Sequence, residues 1–138
     1  MKRRRKQRFQ GVSDAELGVL ELLWEHGEAT PQSLQEQLAR SGVRRAYTTV
    51  QTLLHRLHAK GHVQRQREGV AQIYRATVDR QELLAAHMDD LAERLCGGET
   101  TPLLLGLVQS GRLGKRELAR FREILDESEK KAKRRRRR

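Results

Sequence analysis

The sequence has few of the residues on which several protein classes depend. Only one of its 138 residues is a cysteine, Cys96, which excludes an internal disulfide and any metal site built from several cysteines. No run of 18 or more apolar residues is present, so we expect no insertion into a membrane. The basic start at residues 1–6 is followed by no apolar segment, unlike a secretory signal. Together these features favour a cytoplasmic protein, and the scarcity of proline favours a mainly helical one.

The formal net charge of +11 is distributed unevenly along the chain. Residues 2–8 carry six basic groups and residues 130–138 carry eight, and neither segment contains an acid. Between them, residues 9–39 have a net charge of −6, residues 40–75 of +7 and residues 76–129 of −4. A basic block between two acidic ones is a local electrostatic footprint, which is typical of a nucleic-acid-binding surface. Either tail alone is equally compatible with an ordinary solvated surface.

The first 76 residues predict three short helices and a hairpin. A capping box formed by Ser13 and Glu16 starts a helix over about residues 14–25. Thr30-Pro31 starts the second helix, and leucines at helical spacing predict a third over about residues 47–60. Two extended segments, residues 62–67 and 71–76, flank a glycine and therefore read as a hairpin.

Three short helices followed by a glycine-turned hairpin predict a winged helix-turn-helix, in which the third helix enters the major groove of DNA. Short polar side chains on that helix are suited to base edges, and glutamine can pair with adenine through two hydrogen bonds. Arginines in the preceding turn and in the wing are suited to phosphates, Arg75 among them. The candidate DNA-binding residues are Arg44, Arg45, Tyr47, Thr48, Thr49, Gln51, Thr52, His55, Arg56, Arg65, Arg67 and Gln72.

Three further helical segments follow from residue 79 and carry more leucine than one small domain needs. They could form a satellite core within one chain, but packing against the same segments of a second chain is the interpretation we favour. The candidate dimerisation residues are Leu83, Leu84, Met88, Leu91, Leu95, Leu104, Leu107, Leu118, Phe121 and Leu125.

Three stretches of the sequence resemble one known family. They are the run AYTTVQTLLHRLHAKG over residues 46–61, ELGVLELLW over residues 16–24 and RQREGVAQIY over residues 65–74. These resemble the penicillinase-repressor family, the BlaI/MecI/CopY group, over about residues 13–128. The resemblance implies a homodimer with an N-terminal winged-helix domain and a C-terminal helical dimerisation domain. It also implies repression of resistance or stress genes at palindromic operators.

The sequence departs from two of the family's switches. Copper-responsive members have cysteine pairs near the C-terminus, whereas Cys96 is alone here, so we expect no copper sensing. Antibiotic-responsive members are cut at an Asn-Phe bond, and the matching position here is Gly106-Leu107. This pair is the candidate cleavage position, with an upstream membrane sensor-protease as a candidate partner beside double-stranded DNA.

The resulting organisation has four parts: a disordered basic arm at residues 1–10, a winged-helix domain at 11–77, a dimerisation domain at 78–128 and a disordered basic tail at 129–138. We expect no enzyme, cofactor or metal, because the five histidines form no ligand set with Cys96 and phosphate loops are absent. The alternative function is an architectural DNA- or RNA-binding protein that depends on its basic tails and has no preferred sequence.

Overall fold

The structure is a computed structural model that describes residues 10–137; the predicted basic arm therefore lies outside the described residues apart from Gln10. Within the described range the chain is mainly helical, as predicted, with one antiparallel hairpin. The elements are α1 (Asp14–His26), α2 (Pro31–Arg40), α3 (Tyr47–Ala59), β1 (Val63–Glu68), β2 (Ala71–Ala76), α4 (Arg80–Leu95), α5 (Thr101–Gln109) and α6 (Lys115–Arg136). No helix in this range is long and apolar enough to span a membrane.

The first two helices begin where their capping residues predict. The Glu16 amide donates to the Ser13 hydroxyl at 3.2 Å, and the Glu16 carboxylate accepts from the Ser13 amide at 3.5 Å. At α2 the same reciprocal pair forms between Thr30 and Ser33. Both caps satisfy amides that the first turn of a helix leaves without partners.

The core of the N-terminal unit lies where α1, α2, α3 and the base of the hairpin meet. Its members are apolar side chains spaced by three and four residues on the helices, which places them on one face of each. Tyr74 on β2 is also fully buried, and its backbone pairs with Ala29 through hydrogen bonds of 2.9 and 3.0 Å. The largest fully buried members are Leu20, Leu23, Leu34, Leu54, Leu57, Val19, Val50 and Tyr74. This core fixes α3 and the wing to one scaffold.

The hairpin has a two-residue connection, Gly69-Val70, between strands that pair from Val63 with Ala76 to Glu68 with Ala71. Gly69 has a φ of +60°, which a residue with a side chain rarely adopts. Glycine at the first central position of a two-residue turn is typical of type II′, whose twist matches that of the strands. The predicted wing is thus confirmed, with β1 starting and ending one residue later than expected.

The chain divides into two compact units, one ending at Met88 and the other beginning at Asp89. We predicted this division between residues 77 and 78. The difference arises because the first turns of α4 belong to the N-terminal unit: Leu83 is only 5% exposed and is part of that unit's core. Leu83 is therefore occupied within its own chain, and we remove it from the candidate dimerisation residues.

The basic tail, which we predicted as disordered from residue 129, is helical in the described range. Helix α6 continues to Arg136. Lysine and arginine are good helix formers, and positive charges in the last turn interact favourably with the helix dipole. Acids also precede bases by four residues, as with Glu127 before Lys131 and Glu129 before Lys133, which is the favourable order on a helix.

Candidate nucleic-acid interface

Helix α3 has one apolar and one polar face. Val50, Leu53, Leu54 and Leu57 point into the core and are buried. The opposite face is open to solvent, and Gln51 at its edge is half-buried. The predicted residues exposed on it are Tyr47, Thr48, Thr49, Thr52, His55 and Arg56. The structure therefore brings the predicted base-reading residues of α3 onto one accessible surface.

The Thr52 hydroxyl on this surface already donates a hydrogen bond within α3. The Thr52 hydroxyl donates to the Thr48 carbonyl at 2.9 Å, one helical turn back. In this arrangement it remains available as an acceptor but not as a donor. Gln51, Thr48 and Thr49 are therefore better placed than Thr52 to donate to a base, which periodicity alone did not predict.

The turn before α3 carries two arginines, Arg44 and Arg45. Arg44 is exposed and Arg45 is half-buried. The side-chain amide of Gln35 on α2 donates to the Arg45 carbonyl at 3.1 Å, which ties this turn to α2. Gln35 is thus a positioning residue that we did not predict from the sequence, because no motif marks it.

The inner face of the wing changes from apolar at its base to polar towards its tip. Val63 and Tyr74 at the base are buried. Because alternate residues of a strand share a face, Arg65 and Arg67 lie on this same face, opposite Tyr74 and Gln72 respectively. The Tyr74 hydroxyl donates to Gln72 Oε1 at 3.2 Å, so the amide nitrogen of Gln72 keeps its donors for another partner.

A cleft of about 470 Å³ separates α3 from the wing and brings four of the predicted residues together. Tyr47 and Gln51 line it from α3, and Arg67 and Gln72 line it from the wing. Its remaining lining includes Thr30, Pro31 and Gln32 at the start of α2. A helix N-terminus favours negative charge, so this cleft combines hydrogen-bond donors with a cation and a helix dipole.

The family profile of the penicillinase repressors matches residues 12–127 of this chain. The chain belongs to the penicillinase repressor family. It is accordingly a DNA-binding transcriptional repressor, and the basic block at residues 40–75 falls within the matched region.

Individual proteins of known function or structure are similar to this chain. The penicillinase repressor of Bacillus licheniformis is 25% identical over 122 residues, which cover 88% of this chain and 94% of that protein. The solution structure of the DNA-binding domain of the repressor BlaI is 30% identical, covers 56% of this chain and 92% of its own, and has a TM-score of 0.48. A complex structure of hsRosR-SG shares the fold over 88% of this chain and 96% of its own, with a TM-score of 0.50 at 15% identity.

Five residues that line the repressor's cleft were not among the predicted DNA-binding residues: Thr30, Pro31, Gln32, Val70 and Ala71. The sequence predicts Thr30 and Pro31 only as the start of α2, although the dipole at a helix N-terminus also favours negative charge. The Thr30-Pro31 pair was therefore a usable signal for the site. What the sequence did not reveal was that the start of α2 faces the wing across the same cleft as α3.

Arg75 was a predicted phosphate contact of the repressor, and the structure gives it another partner. Its Nε and Nη2 atoms donate to Glu28 Oε2 at 2.9 and 2.7 Å. Arg75 lies on the outer face of the wing, because it alternates with the buried Tyr74. We therefore assign Arg75 to an ion pair between the wing and the α1–α2 connection.

Proposed function

We propose that this repressor acts as a homodimer whose two α3 helices read the half-sites of a palindromic operator, and that it controls resistance or stress genes. The observation that carries the proposal is the exposed polar face of α3 beside the cationic wing, in a chain of this family. A winged helix-turn-helix of this geometry places its third helix in the major groove.

Base reading falls to the short polar side chains of α3. Gln51 stands at the inner edge of the exposed face and lines the cleft, where its amide group has both a donor and an acceptor for an adenine edge. Thr48 and Thr49 are exposed in the first turn, which is the part of a recognition helix that approaches the bases.

Phosphate binding falls to the cations that flank α3. Arg44 precedes the helix, Arg56 lies on its exposed face, and Arg65 and Arg67 lie on the inner face of the wing. These four have no acidic partner among the ion pairs of the described residues. They are therefore free to neutralise phosphates, in contrast to Arg75.

A homodimer accounts for the apolar surface of the C-terminal unit. Among its large hydrophobic residues none is buried; Ala92 is its only buried apolar side chain among the described residues. A groove of about 380 Å³ between α5 and α6 is lined by Leu107, Leu113, Phe121 and Ile124. Apolar surface of this extent is typical of an interface, and a second copy of the chain would cover it.

Dimerisation also gives the repressor its affinity. Two linked half-site contacts raise overall avidity by on the order of 10²–10⁴-fold over one. Release from the operator then requires only that the C-terminal dimerisation unit be separated from the winged domains. A cut at Gly106-Leu107 by an upstream sensor-protease is one such route; since both residues lie inside α5, the helix would first have to open.

The proposal is tested by comparing operator and random duplexes of equal length. Gln51→Ala is expected to weaken operator binding by about 1–3 kcal/mol while leaving random-duplex binding nearly unchanged. Glu21→Ala, at an exposed position of α1, is the matched control and should change neither. An equal loss on both duplexes would remove Gln51 from the base-reading surface.

A further inference from the structure

Helix α6 extends beyond the region that this chain shares with its family. The family match ends at residue 127, whereas α6 continues to Arg136 and Arg137 caps it. Every side chain from residue 130 to residue 137 is exposed, and seven of these eight residues are lysine or arginine. The extension at residues 130–137, which we call the rod, is therefore helical and positively charged along its length.

Four of these cations form a stripe on one side of the rod. Lys130, Lys133, Arg134 and Arg137 follow the i, i+3, i+4, i+7 spacing, and together they line a shared surface concavity. With 3.6 residues per turn, the stripe spans an arc of roughly 100° and a length of about 10 Å along the helix axis. That length corresponds to about three nucleotide steps on one DNA strand at 3.4 Å each.

The stripe lies away from the apolar side of α6. Leu118, Phe121 and Leu125 mark that side, and helical geometry places them roughly 140° around the axis from the stripe. A second copy of the chain covering the apolar side would thus leave the stripe in solvent. Asp126 and Glu127, one turn earlier, confine the positive surface to the last two turns.

The composition of the rod favours nucleic-acid phosphate over a membrane surface. A helix that lies in a membrane interface needs an apolar face beside its charges. From Asp126 to Arg137 the only apolar residue is Ala132, so such a face is absent. Phosphate binding requires no apolar face, and clustered arginine and lysine are the groups that neutralise it.

We propose that the stripe formed by Lys130, Lys133, Arg134 and Arg137 is a second DNA contact, which binds the phosphate backbone without reading sequence. This inference rests on the proposed operator binding, because it adds affinity to DNA that the winged domain already holds. Its contribution is therefore the same on operator and on random duplex.

Two triple variants with equal loss of charge test the stripe. The first, Lys133→Gln, Arg134→Gln and Arg137→Gln, removes three members of the stripe. The control, Lys131→Gln, Arg135→Gln and Arg136→Gln, removes the same number and kinds of charge from the other sides of the helix. Glutamine preserves helix propensity in both, and circular dichroism of the full chain checks this.

The readout is the dependence of affinity on salt, measured on a random duplex and on the operator. For every phosphate that the protein no longer neutralises, the slope of log K against log salt falls by about 0.9, so the stripe variant should show a slope smaller by about 2.7 per chain. The slope of the control should fall by less than half as much. Equal reductions in the two variants would overturn the ordered stripe, and a full slope in the stripe variant would overturn the DNA contact.

The stripe and the operator-reading surface have separate readouts. Both triple variants should keep the wild-type ratio of operator to random-duplex affinity. If the wild-type protein itself showed no such ratio, operator reading would fail while the salt test of the stripe remained valid. A different result would assign the stripe to membranes instead. In that case the wild-type protein would bind anionic phospholipid vesicles, and the stripe variant would lose this binding while its salt slope on DNA stayed unchanged.

Discussion

Lys60 Nζ lies 2.7 Å from Glu16 Oε2, and this ion pair joins the end of α3 to the start of α1. The same ammonium group donates to Glu16 Oε1 at 2.9 Å and to the Gly11 carbonyl at 2.8 Å. Glu16 is only 3% exposed and also accepts from the Ser13 hydroxyl at 3.0 Å. The pair thus fixes α3 relative to α1 and also holds Gly11 beside them.

Removing one member of this pair should destabilise the N-terminal unit strongly. Lys60→Met leaves a buried carboxylate without its cation, which costs about 3 kcal/mol in the free energy of unfolding. Arg75→Met is the matched control, because it breaks an ion pair whose side chains are half exposed and should cost less than about 1 kcal/mol. Urea denaturation measures both; equal costs would show that burial of the Lys60–Glu16 pair is unimportant.

The pair should also give the stability of the protein a pH dependence. Burial raises the pKa of Glu16, but hydrogen bonds from Lys60 and Ser13 together outweigh it and leave the pKa below its usual range. A carboxyl whose pKa is lowered by folding stabilises the protein above its unfolded pKa, about 4.3, and this stability is lost as the pH falls through the folded pKa.

Glu16→Gln isolates this contribution from those of the other carboxyls. The difference in unfolding free energy between wild type and Glu16→Gln should be largest near neutral pH and shrink as the pH falls below about 4.3. Urea titrations at several pH values measure it. A difference that stays constant down to the acid transition would mean that Glu16 has the same pKa in both states.

A tryptophan anchors the segment between the wing and α4. Trp24 Nε1 donates to the Val78 carbonyl at 2.8 Å, and the Arg80 guanidinium stands 4.8 Å from the centre of its ring. Trp24→Phe should cost about 1–3 kcal/mol, because it leaves the Val78 carbonyl without its partner. Tyr47→Phe, on the exposed face of α3, is the control and should cost under about 0.5 kcal/mol. Thermal unfolding measures both, and equal costs would count against the anchor.

The boundary of the N-terminal unit predicts how fragments behave. A fragment of residues 1–88 keeps Leu83 in the core, whereas one of residues 1–80 loses it. We expect the shorter fragment to be less stable by about 2 kcal/mol or more, in the range of buried leucine truncations. Denaturation by urea compares them, and equal stability would place Leu83 outside the folding unit.

The same two fragments test where the dimer forms. Both should sediment as monomers and bind the operator more weakly than the full chain, because most of the proposed dimerisation residues lie beyond residue 88. A dimeric fragment of residues 1–88 with full affinity for the operator would contradict the proposed dimerisation unit. A fragment that was monomeric but bound as tightly as the full chain would contradict the role of avidity.

Local signals in the sequence sufficed for the elements of the winged domain. Helices α1 and α2 are predicted by their capping residues Ser13 and Thr30, and all three helices by leucines spaced three and four residues apart. These signals can be recognised in the sequence because each depends only on neighbouring residues. The exposed face of α3, which carries Gln51, follows from the same spacing.

Features that depend on distant parts of the chain could not be read in this way. Arg75 pairs with Glu28, and Leu83 packs into the core of the N-terminal unit. Both contacts join residues that are far apart in the sequence. The cleft likewise needs α2 and the wing to face each other, which no local pattern encodes. The helical tail was missed for another reason. The density of positive charge led us to predict disorder from residue 129, whereas the high helix propensity of lysine and arginine is consistent with the helix that the structure shows there.

If this repressor reads a palindromic sequence through α3, selection from a randomised duplex pool will recover that sequence. The full-length protein is bound to the pool at near-physiological salt, and the retained duplexes are sequenced. We predict enrichment of one two-fold symmetric sequence with half-sites about one helical turn apart, and loss of that enrichment with Gln51→Ala. Retention of DNA with no enriched sequence would contradict the claim and would favour an architectural DNA-binding protein.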